Sequence, residues 1–105
     1  MTLKPLIFTI ASAALAGCAH AEFASSNTQE KFTPSRTAVQ IEVFKSQMPA
    51  KKYKEIGSVV VCAGGKLSSN VELLKKKAAE NGGEALIGLE QPSQNCLSAA
   101  VIRYQ

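Results

Sequence analysis

The amino-acid sequence predicts an α+β domain: a small mixed sheet of about four strands, ordered β-β-α-β-β, with one helix on one face and one disulfide. Three observations lead there. Four stretches rich in β-branched and apolar residues are separated by polar or Gly- and Pro-bearing breaks. Between the second and third of them, apolar residues recur at helical spacing. Two cysteines, Cys62 and Cys96, fall at the end of the second stretch and the start of the fourth.

The first strand is read from Val39, Ile41 and Val43, which alternate with Gln40, Glu42 and Phe44 as a half-buried strand requires. The segment SQMPAKK interrupts it at Pro49. A second strand covers 53–62, where Val59-Val60-Val61 forms a continuous apolar run suited to an interior position. Ser69-Asn70-Val71-Glu72 fits a capping box that opens a helix, and Val71, Leu74 and Ala78 form its apolar stripe. Lys75, Lys76 and Lys77 stand toward its C-terminal half, where cations favour the helix dipole. Gly82 supplies the left-handed residue that ends it. Residues 85–89 form a third strand, QPSQNC a turn, and 97–104 the last strand. Strand–helix–strand over 53–89 predicts two parallel strands joined by a right-handed crossover, and the short loop after it predicts an antiparallel last pair.

The N-terminus is of a different kind. After Lys4, residues 6–16 (LIFTIASAALA) carry no charge, as in the apolar core of a secretory signal. That run is shorter than the roughly 20 residues a membrane-spanning helix needs. It closes in Leu15-Ala16-Gly17-Cys18, which resembles the bacterial lipobox. Residues 1–17 are therefore expected to be removed as a signal peptide. Cys18 is expected to carry lipid on its thiol and acyl on its new amino group, and 18–36 to form a flexible linker to a domain at 37–105. Two or three chains hold a protein stably at a membrane, since each buried methylene contributes about 0.8 kcal/mol. A competing site, Ala19-His20-Ala21, would release a soluble periplasmic protein beginning at Glu22.

Either cut removes or modifies one of the 3 cysteines and leaves Cys62 and Cys96. In an oxidising compartment such a pair in a small exported domain reads as a disulfide. Closing a loop of this length contributes about 3–4 kcal/mol in the chain-entropy model.

Tyr53-Lys54-Glu55-Ile56-Gly57-Ser58-Val59, followed by Leu74-x-x-x-Ala78-Ala79-x-x-Gly82-Gly83-x-Ala85-Leu86-Ile87, resembles the pattern of small bacterial envelope domains. These include the outer-membrane stress-sensor lipoproteins of the RcsF type and the YbjQ-like domains. The resemblance implies a compact α/β domain with an acylated N-terminus and disulfides, for one of which this domain has cysteines. By the same resemblance, Ala19 in place of aspartate after the lipidated cysteine implies the outer membrane, with the domain facing the periplasm.

The residue types exclude much chemistry. The single histidine, His20, lies in the expected linker, so no serine or cysteine in the domain has an imidazole to activate it. There is no C-x-x-C, and no zinc-ligand spacing is evident. Gly64-Gly65-Lys66 lacks the earlier glycine and the following Ser or Thr of a phosphate loop, and reads as a turn. The chain is thus expected to be neither an enzyme nor a holder of metal or cofactor. It is expected to be a membrane-anchored interaction or envelope-sensing module with a protein partner and no nucleic acid. Lys51, Lys52 and Lys54 suggest an alternative, a structural module holding anionic envelope polymers.

Overall fold

The computed structural model describes residues 21–105 apart from 28, 64 and 65. The signal segment, Cys18, His20 and the Gly64-Gly65 turn lie outside the described residues. Strand β1 spans Ala21–Ser25, a 3-10 turn Ala38–Gln40, β2 Glu42–Phe44, β3 Tyr53–Cys62, helix α1 Leu67–Glu80, β4 Ala85–Ser93 and β5 Cys96–Tyr104. The strands form one five-stranded sheet in the order β1-β3-β5-β4-β2. All neighbours are antiparallel except β2 and β4, which run parallel.

Among the described residues, the α+β class, the single α-helix and the disulfide are as expected, and the strand count rises by one. Part of the segment expected to be a flexible linker is β1, paired from Ala21↔Val61 to Ser25↔Gly57. Its signal is faint because only Ala21 and Phe23 turn toward the core, and both sides of this short edge strand are flanked by polar residues. Beyond it, Phe32 also packs against the core.

The expected strand at 39–43 begins later. The Gln40 side chain accepts from the Thr37 amide at 2.9 Å, which folds 37–40 into a turn and leaves Val39 81% exposed. Only 42–44 pairs, alongside Ala85, Leu86 and Ile87 of β4. Helix α1 also starts earlier than the capping box predicts. Lys66 is the N-cap, so Ser69 lies inside the helix, and the Asn70 side chain donates from Nδ2 to the Ala63 carbonyl at 3.1 Å. Its end matches expectation: Gly82 takes φ +87°, the Gly82 amide bonds Ala79 and the Gly83 amide bonds Ala78.

Strands β3 and β4 do run in the same direction, but β5 lies between them and pairs both. Strand β4 continues to Ser93 through most of the expected QPSQNC turn, leaving Gln94 and Asn95 as the hairpin loop. An extra residue in β4 between Ile87 and Glu90 is absorbed by Gly88, whose φ of +63° glycine adopts without strain.

Helix α1 covers one face of the sheet. Its Leu74, Ala78 and Ala79 meet Ile56, Val59 and Val61 of β3 with Leu97, Ala99 and Val101 of β5 in one buried cluster. Each fully buried side chain of Leu or Val size contributes about 1.5–3 kcal/mol. On the other face Ala85, Ile87 and Ile102 form a second, smaller cluster roofed by the half-buried Phe44, Tyr53 and Tyr104.

Candidate functional site

The sheet has two chemically unlike ends. Strands β3 and β4 finish, and β1 and β5 begin, at one of them. Here Cys62 and Cys96 are directly opposed in the β3–β5 register and joined by a disulfide. The Ala63 amide bonds the Asn95 carbonyl at 2.8 Å, which fastens the chain leaving β3 to the β4–β5 loop. A hollow of about 140 Å³ beside the disulfide is lined by Leu67, Asn70, Gln91, Gln94 and Asn95. Leu67 is 57% exposed. Cys18, the expected lipid attachment, lies outside the described residues, yet it stands only three positions before Ala21, the first residue of β1.

The opposite end carries the charge. Tyr104 closes the β5 ladder beside Tyr53, with the Lys51 ammonium 4.8 Å and the Arg36 guanidinium 5.4 Å from its ring centre. The Tyr104 hydroxyl donates to Glu42 at 3.3 Å, while its backbone amide donates to Glu84 at 2.8 Å. Burial, together with the negative charge of Glu42, pushes the Tyr104 hydroxyl above its ordinary value. For Glu84, burial is the largest influence and acts upward. The Tyr104 amide, the Ser35 hydroxyl, Arg103 and Arg36 together outweigh it and hold the carboxyl below its ordinary value.

The structure does not bring Lys51, Lys52 and Lys54 together. Lys54 lies on the helix side of the sheet, bonded to Glu30 at 2.8 Å and 5.5 Å from the Phe32 ring centre. Lys51 lies over Tyr104 on the other side. Lys52 is exposed between them, and its carbonyl accepts from the Gln105 amide. On α1, Lys75 pairs with Glu72 and Lys77 with Glu80. These are solvated surface pairs worth about 0.3–0.5 kcal/mol each.

A cleft of about 460 Å³ lies where β1, the segment around Phe32 and the end of α1 meet. Phe23, Phe32 and Ile56 give it an apolar floor; Glu30, Lys31, Glu80 and Asn81 edge it. It is not legible in the sequence, because Phe23, Ser25, Glu30, Lys31 and Phe32 fall in the part expected to be linker. Such a surface can accept an apolar side chain. Among the described residues no three His, Cys, Asp or Glu side chains are grouped so as to hold a metal ion. Nor, among them, is any helix long and apolar enough to cross a membrane.

No family model matches the chain, and no curated protein matches it. Among solved structures, a Francisella virulence factor, FvfA, is similar in fold, with a TM-score of 0.56 at 13% identity. The match covers 83% of this chain and 98% of that one. At that identity the likeness shows the fold alone.

Proposed function

We propose that this chain is a bacterial lipoprotein, acylated on Cys18, whose α+β domain acts in the cell envelope as a non-enzymatic interaction or sensing module. Outer-membrane attachment with the domain facing the periplasm, as in the RcsF-type proteins it resembles, is part of the proposal. One observation carries it beyond the lipobox. Ala21 is 3% exposed, belongs to the main core and pairs with Val61. Cleavage before Cys18 leaves β1 whole, whereas cleavage after Ala21 removes its most buried residue and puts a charged amino terminus at the edge of the core. Folding thus favours the first site over the second.

Intact-mass analysis of the mature protein tests the proposal. The expected species starts at Cys18 and carries a diacylglyceryl group and an amide-linked acyl chain; an unmodified chain starting at Glu22 overturns it. Crosslinking in intact cells should then capture a discrete envelope protein. The polymer-binding alternative loses support from the separation of Lys51 and Lys54 onto opposite sides of the sheet.

A further inference from the structure

We infer that the anchored domain rests on the phospholipid bilayer with its disulfide end down. The Cys62–Cys96 bridge, the Gln94–Asn95 loop and Leu67 then lie at the headgroup layer, and the Tyr104 end points into the aqueous compartment. The inference rests on acylation of Cys18. Its geometry comes from β1. Three residues of chain span at most about 10 Å, so Ala21 lies within that distance of the lipidated cysteine. Ala21 has no freedom to leave: it is buried and paired with Val61 at the first rung of β1. Strand β1 then runs away from the anchor, and its fifth residue, Ser25, reaches Gly57. The end of the sheet beside Ala21 is the one where β3 ends at Cys62 and β5 begins at Cys96.

The chemistry of that end suits the site. Its described residues 62, 63, 66–69 and 91–96 carry no acidic side chain; Glu22 and Glu90 stand opposite Val60 and Ser98, two rungs in from the disulfide. Lys66 offers one cation, Leu67 one exposed apolar side chain, and Gln91, Gln94 and Asn95 uncharged donors and acceptors. Amides with a single leucine match the boundary between headgroups and acyl chains, where water still reaches polar groups. The far end concentrates Arg36, Glu42, Lys51 and Glu84 around Tyr104. At about 3.3 Å per strand residue, Gln105 lies about 30 Å beyond Cys96 along β5.

The chain contains no tryptophan, so each introduced tryptophan is a sole reporter. The full lipidated protein is reconstituted into phosphatidylethanolamine–phosphatidylglycerol vesicles whose acyl chains are brominated near the headgroup. Leu67→Trp, with Lys66→Trp as a second reporter at the same end, is expected to be quenched several-fold more than Gln105→Trp. Equal quenching at the two ends, or stronger quenching at Gln105→Trp, overturns the orientation. Inserting twelve Gly and Ser residues between His20 and Ala21 lengthens the tether by roughly 20 Å and should abolish the difference. A difference that survives the insertion overturns the tether as its cause. Intact mass and vesicle flotation on the same samples separate the two levels. A protein without acyl groups that stays off the vesicles overturns the anchor itself, whereas an acylated, floating protein with unquenched Leu67→Trp overturns the orientation alone.

Discussion

Glu84 sits where the β4–β5 ladder begins and works in both directions. Its amide donates to the Ile102 carbonyl at 2.9 Å, and its carboxylate takes the Tyr104 amide on one oxygen and the Ser35 hydroxyl on the other. Because its folded-state affinity for a proton is lowered, the unfolded chain protonates first as the solution is acidified. The stability it contributes is fully present above the ordinary glutamate value of about 4.3 and is lost as pH falls through the lower folded value. Urea unfolding at neutral and acid pH should therefore show a larger acid loss for the wild type than for Glu84→Gln. Two glycines make a second residue-level prediction. A methyl group on Gly57 would run into the Ala24 carbonyl and lie 2.6 Å from the Phe23 ring, so Gly57→Ala should destabilise by about 1–3 kcal/mol. At Gly82 the added carbon would meet Phe32 as well as the strain of a positive φ, and Gly82→Ala should cost at least as much in the same unfolding experiment.

The disulfide spans 34 residues of sequence and joins strands that already pair at that rung. The ladder fixes the register of the folded state, so the bridge acts chiefly by restricting the unfolded chain. Cys62→Ser with Cys96→Ser should lower unfolding free energy by about 3 kcal/mol while leaving the circular dichroism spectrum of the fold in place. How far each element is visible in the sequence depends on how much of its cause is local. Helix α1 ends where Asn81-Gly82-Gly83 says, since a left-handed glycine needs no distant partner. Its start is not legible in Ser69 and Glu72, because the helix opens after Lys66 and the Asn70 side chain bonds the Ala63 carbonyl at the end of β3. The apolar run of β3 announced an interior strand, but not that β5 would separate it from β4. Strand order is decided by packing across the sheet and leaves no trace in local periodicity. Of the candidate site, the Cys62–Cys96 pair is legible once Cys18 is set aside by the expected cleavage or acylation. The cleft was not, because Phe23 and Phe32 look like isolated aromatics until β1 joins the sheet and Gly82 seats Phe32.

At the scale of the molecule, β1 closes one edge of the sheet over the core. A domain beginning at Ser26 loses the strand that shields Ile56 and Val61 on the helix side. Its unfolding free energy should fall by roughly 2–4 kcal/mol, given the burial lost with Phe23 and Ala21, as read by denaturant midpoint against the domain beginning at Cys18. The position of β5 has a different consequence, one of timing. It is the last described strand to be synthesised, yet it holds the middle of the sheet, and β3 and β4 reach each other only through it. While residues 96–104 are still inside the ribosome, the emerged strands have no continuous ladder to join. The five strands thus close into one sheet only once 96–104 is free to enter between β3 and β4, which ties completion of the fold to completion of the chain's last described strand.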